Sequence, residues 1–215
     1  MKPIIPLIVL MAASTAIAAI PNQASALAVL ASDAGTEEKA RACQHLAAVG
    51  GPAAVPALAA LIADEKLASY ARSGLETNKD SGAGEALRKA LPALNGRLLA
   101  GAVTSLGARR EAAAVADLTA LLADPARGAA LPALAALGEI ATPEALQAIV
   151  KVLSEGPQPL RIPAAHAALA AADHLRTAGK PAAAAVAALE AVRTAELPDH
   201  LKAAANKILA DLKKP

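Results

Sequence analysis

The sequence contains no tryptophan and no phenylalanine, and Tyr70 is its single aromatic side chain. Base stacking, sugar binding and most tight protein hot spots lean on those side chains. Whatever the chain binds, it binds without aromatic platforms. A charge excess is missing too: 21 Lys and Arg against 19 Asp and Glu leave a formal +2, with the two signs interleaved throughout. Nucleic-acid binders concentrate basic charge on one face, so no nucleic-acid partner is expected. Cysteine occurs once, at Cys43. An intramolecular disulfide is therefore excluded, and the fold must be stable by packing alone. Its neighbourhood, ACQHL, lacks the two-residue gap of the haem attachment motif, and Cys43 reads as a small buried residue. There is no GxSxG elbow, no glycine-rich phosphate loop after a strand, and no strand alternation.

What the chain has in abundance is alanine, 64 of its 215 residues. Alanine loses no side-chain entropy in a helix, so the bias favours an all-α fold. The N-terminus has a different character: Lys2, an apolar run from Ile4 to about Ala13, then Ala16-Ile17-Ala18. That pattern reads as a secretory signal peptide over residues 1–18, with Ala24-Ser25-Ala26 allowing cleavage as late as residue 26. The competing reading is a retained anchor. Ile4 to Ile20 gives 17 mostly apolar residues, short for a membrane span and weakened by Pro3, Pro6 and Pro21. The expectation is export to the periplasm or beyond, with no stable membrane insertion after signal cleavage.

Beyond the leader, Leu46, Leu75, Leu106, Leu137 and Leu169 stand 29, 31, 31 and 32 residues apart. Twelve residues after each of the first four come Leu58, Leu87, Leu118 and Ile149, all large aliphatics. Three further on lie Leu61, Ala90, Leu121 and Val152, giving the i, i+3 stripe of a buried helical face. Gly50-Gly51, Gly107 and Gly138 follow the first helix of their units, where a C-terminal glycine is favoured. Pro52 and Pro143, each six residues past its leucine, mark the start of the second helix. A pair of about thirty residues cannot bury its stripes alone, so successive pairs must stack. The predicted architecture is an α-solenoid of about five to six antiparallel helix pairs, coiled as a right-handed superhelix. Residues 19–35 supply an N-terminal cap with Leu27 and Leu30 inward, and 36–195 the repeats. Residues 196–215 supply a capping helix with Leu201, Ile208, Leu209 and Leu212 inward.

Phrases such as GGPAAVPALAALIAD and LAALGEIATPEALQAIVKVL resemble HEAT repeats, in particular the short bacterial subtype first described in phycobilin lyases. The resemblance spans about residues 36–195. It implies a scaffold or binding surface, with the concave face lined by second helices. The unit at Leu75 departs most: ETNKDSGAGE has no proline and an extended polar turn, placing the start of its second helix near Gly84.

Chemistry-bearing patterns are few. His45, His166, His174 and His200 show no i, i+4 pair, so no metal site is expected. Glu37-Glu38 and Asp64-Glu65 fall at helix beginnings or turns, where the dipole favours carboxylates over any acid–base role. No cofactor and no catalytic residue is assigned, and the chain is read as a non-enzyme. On the second helices the polar outward positions are Arg88, Lys89, Asp117, Thr119, Gln147, Lys151 and Glu190, the candidate concave binding face. Lys66, Arg97, Arg127 and Arg161 open the first helices of successive units and would line a basic edge if the units stack. Arg109 and Arg110, in the turn of the third unit, are the next candidates. The function expected is an exported scaffold for protein–protein interaction in the bacterial cell envelope, its protein partner unidentified. The alternative is a ligand- or chromophore-handling protein similar to bilin lyases, disfavoured by the scarcity of aromatic and histidine side chains.

Overall fold

The computed structural model describes residues 22–179 and 183–212, so the expected leader, residues 1–18, lies outside the described residues. Those residues form an all-α fold of stacked helix pairs. The first helices of the units are α2 (Thr36–Val49), α4 (Ala68–Thr77), α6 (Gly96–Ala108), α8 (Ala130–Ile140) and α10 (Gln158–Thr177). The second helices are α3 (Ala54–Ala59), α5 (Ser81–Ala90), α7 (Val115–Leu122), α9 (Pro143–Glu155) and α11 (Ala183–Thr194). At the two ends lie α1 (Gln23–Ala31) and α12 (Asp199–Leu212). Each first helix packs on the next, α2 on α4, α4 on α6, α6 on α8 and α8 on α10, and α12 then packs on α10 and α11. Among the second helices α3 packs on α5, α7 on α9 and α9 on α11.

The two leucine registers are the spine of the core. Leu46, Leu75, Leu106 and Leu137 on the first helices, and Leu58, Leu87, Leu118 and Ile149 on the second, are each at most 1% exposed. Each removes a branched aliphatic side chain from water, worth about 1.5–3 kcal/mol. Alanine does the rest, because a one-carbon side chain lets neighbouring backbones approach. Gly107 extends this: a Cβ there would fall 2.8 Å from Cα of Ala136. The same juxtaposition recurs one unit on, where Gly138 faces Ala167 with 3.1 Å to its Cα.

That recurrence corrects the register of the fifth unit. Stepping from Gly107 to Gly138 and onward by the same 31 residues reaches Leu169, so Leu169 takes the glycine's place and Ala168 that of the core leucine. Ala168 is accordingly fully buried, while Leu169 is only partly so. The sequence pattern misplaced this position because the larger side chain stood one residue from the core site.

A second correction concerns the polar turn of the second unit. Its helix α5 begins at Ser81 and not near Gly84. Asp80 caps it, its side chain accepting from the Gly82 amide at 2.9 Å. Asn78, only 4% exposed, accepts from the Asp80 amide at 2.9 Å and donates to the Gly51 carbonyl at 3.0 Å. Short Asn and Asp side chains satisfy orphan helix amides as well as a proline start would spare them. In the fourth unit the expected signal holds: Thr142 caps α9 through the Ala145 amide at 3.2 Å, with Pro143 as its first residue.

The ends are closed by different means. Asn22 caps α1, accepting from the Ser25 amide at 2.9 Å, and Gln23 accepts from the Gly51 amide at 2.6 Å. Ala26, on the inner side of α1, is fully buried where that helix packs on α2 and α3. At the other end Leu201 and Leu209 of α12 are buried, with Ile208 and Leu212 partly so.

Candidate functional site

The second helices present the face on which the polar candidates fall. On α5, Lys89 makes an i, i+4 ion pair with Glu85 at 2.6 Å. Arg88 reaches across to α7, its Nε donating to Asp117 Oδ2 at 2.7 Å. Both members of this pair are about one-third exposed, so its worth is modest. Its position matters more than its energy, because it links α5 to α7. On α7, Thr119 turns inward on its own helix, its hydroxyl donating to the Val115 carbonyl at 2.7 Å. On α11, Glu190 pairs with Arg193 at 2.6 Å.

Between α7 and α9 the face opens into a groove of about 680 Å³. Its floor is small and apolar: Ala112, Ala113, Val115, Ala116 and Ala148. Thr119, Gln147 and Lys151, three of the seven sequence candidates, line it together with Thr142 and Glu144. The structure thus gathers these three in one place. Arg88, Lys89 and Asp117 are tied up in ion pairs on α5 and α7, and Glu190 in one on α11. Glu144 was not singled out by the sequence pattern, since a carboxylate in the first turn of a helix ordinarily serves the dipole. Its groove position follows from the i, i+3, i+7 relation to Gln147 and Lys151, which becomes informative only once the buried stripe of α9 is known.

The four cations at the starts of first helices have different partners. Arg97 pairs with Glu65 of the preceding turn, accepted by both its carboxylate and its carbonyl. Arg127 donates to the carbonyls of Leu91 and Leu94 at 2.6 and 2.7 Å. Arg161 donates to the Gly156 carbonyl at 3.2 Å. Lys66 is exposed, and its backbone amide donates to Asp64 at 2.8 Å. Arg97 and Arg127 therefore reach back to a turn one unit earlier, whereas the bond of Arg161 is local to the loop that opens its own helix.

Arg109 performs the same task more deeply. Its side chain is 9% exposed, and it donates to the carbonyls of Leu75 at 2.6 Å, of Asp80 at 3.2 Å and of Asn78. A cation on the carboxyl end of α4 answers the negative end of the helix dipole and satisfies its last carbonyls. Glu111 lies 3.7 Å away and supplies the counter-charge. Arg110, beside it, is exposed and takes a left-handed φ of 52° that lets the chain turn into the next helix.

No family model and no curated protein matches the sequence. Among solved structures, a crystal structure of an engineered protein is similar at 21% identity and a TM-score of 0.47. The match covers 87% of this chain and 95% of the engineered one. A likeness at that level carries no functional argument.

Among the described residues no three His, Cys, Asp or Glu side chains are placed to hold a metal ion. His174 stands 3.7 Å from Glu139, beside a small groove of about 310 Å³ lined by Leu131, Pro163, His166 and alanines. Cys43 is fully buried, and burial pushes its thiol up to about 11, the opposite of what a nucleophile needs. Among the described residues no helix is long and apolar enough to cross a membrane.

Proposed function

We propose that the protein is a non-catalytic, exported scaffold of HEAT-like repeats that mediates protein–protein interaction in the bacterial cell envelope. The observation that carries this reading is the groove between α7 and α9, with its alanine floor and a polar rim of Thr119, Glu144, Gln147 and Lys151. Small floor residues admit close approach of a partner's backbone or helix, and the rim supplies orientation. The units behind the groove are locked by buried leucines and by arginine-to-carbonyl contacts, so the surface is presented on rigid elements. The 31-residue stacking of Gly107 on Ala136 and Gly138 on Ala167 supports the repeat reading. The groove contains no aromatic or histidine side chain, which gives a tetrapyrrole nothing to stack on or ligate. The chromophore-handling alternative is accordingly not favoured.

The test is capture from a bacterial envelope fraction with the tagged protein as bait, alongside a variant carrying Gln147→Glu and Thr119→Arg in the groove. A partner retained by the wild type and lost from the folded variant supports the scaffold. Equal retention by both, or a co-purifying pigment in place of a protein, would refute it.

A further inference from the structure

The charged side chains of α5, α7 and α11 are all spoken for: Glu85 by Lys89, Arg88 by Asp117, Glu190 by Arg193. On α9 the two that line the groove are not. Glu144 and Lys151 are both exposed, and neither has an ion-pair partner among the described residues. The reason is spacing. Seven residues apart on a helix, they share one face but stand about 10 Å from each other, too far to pair. Both lie on the rim of the alanine-floored groove, with Gln147 and Ala148 between them.

This arrangement is self-complementary. If a second α9 lies antiparallel to the first, with the twofold axis between residues 147 and 148, residue 144 of each copy comes opposite residue 151 of the other. Both unpaired charges are then satisfied at once, twice over, as an isologous interface requires. The two helix dipoles oppose each other favourably in the same packing. Ala148 at the axis permits an interaxial distance near the short end of the ~8–10 Å helix-packing range. A partner of a different sequence would need to carry a matching base and acid at the same spacing; a second copy carries them already.

We infer that the groove between α7 and α9 is a self-association surface, in which Glu144 of one copy pairs with Lys151 of a second copy of this chain. The inference rests on the interaction-surface reading and names the partner of that same site.

The test is sedimentation equilibrium of the purified protein over roughly a hundredfold range of concentration, on the wild type, E144K, K151E and the double variant E144K/K151E. Circular dichroism and a urea unfolding curve on each confirm that the helix content and the fold are unchanged. The wild type should dimerise, each single reversal should weaken the dimer by about tenfold or more, and the double reversal should restore it, because it exchanges the two charges without altering their complementarity. A wild type that stays monomeric throughout, single variants that dimerise like the wild type, or a double variant no better than the singles would each overturn the inference. The scaffold reading is separable: a monomeric wild type that still retains a different protein through this face sinks self-association and leaves the scaffold standing.

Discussion

Gly107 of α6 lies against Ala136 of α8 so closely that a Cβ on the glycine would sit 2.9 Å from the Cβ of the alanine. The neighbour it would meet is helical backbone and a methyl group, neither of which can swing away. One unit on, the equivalent approach of Gly138 to Ala167 is looser, at 3.3 Å between the same atoms.

Gly107→Ala should therefore destabilise the array by about 1–3 kcal/mol despite alanine's better helix propensity. Gly138→Ala should cost less, because a shift of a few tenths of an ångström relieves the contact. Urea unfolding of the two variants side by side gives the comparison; equal costs would show that propensity and not packing governs these sites.

Arg109 holds the end of α4 from the next unit, donating to the carbonyls of Leu75, Asn78 and Asp80. Its removal leaves those carbonyls short of a donor and Glu111 without its neighbouring cation. Arg109→Ala should lower stability by about 2–3 kcal/mol. Arg109→Lys should recover little of it, since a single ammonium cannot reproduce the planar fork that reaches several carbonyls. Full rescue by lysine, measured by the same unfolding midpoint, would contradict this account.

Cys43 should behave as an inert core residue. With its thiol pushed up to about 11 by burial and no exposed surface, it holds almost no thiolate at pH 8. Labelling by a thiol reagent should be at least about a hundredfold slower in native protein than in urea. Rapid native labelling would place Cys43 in a segment that opens easily.

Asp64 accepts the backbone amides of Lys66 and Leu67, each at 2.8 Å, and those bonds hold its carboxyl below the ordinary value of 3.8. A depressed folded-state value means that the carboxylate stabilises the native state above about pH 4. That contribution is lost as pH falls through the folded value. The stability difference between wild type and Asp64→Ala should accordingly be larger at pH 6 than at pH 2.5. Because the group is almost fully exposed the effect is small, and denaturant midpoints at the two pH values are the measure. A difference unchanged by pH would mean that the turn is held by something other than the charge.

Much of the fold was legible in the residues. Leucines at 46, 75, 106 and 137, and aliphatics twelve positions later, marked two buried stripes per unit, because burial must recur wherever a helix pair repeats. Pro143 marked a helix start, and the leucines of 201–212 marked a closing helix. The candidate groove was legible in part: Thr119, Gln147 and Lys151 stood out as polar positions on second helices. Glu144 did not, because a first-turn carboxylate has an ordinary local explanation.

The sequence by itself determined that this chain is helical, periodic, free of aromatic platforms and dependent on packing for its stability. Those properties follow from composition and spacing, which act locally. Only the tertiary structure decided that Ala168 and not Leu169 fills the fifth core position, since that choice depends on which backbone atoms of α8 and α10 come into contact. Only the tertiary structure gave Arg97 and Arg127 their partners in a turn one unit earlier. A cation's role is set by the carbonyl or carboxylate within its reach, and that partner lies thirty or so residues away for Arg97 and Arg127.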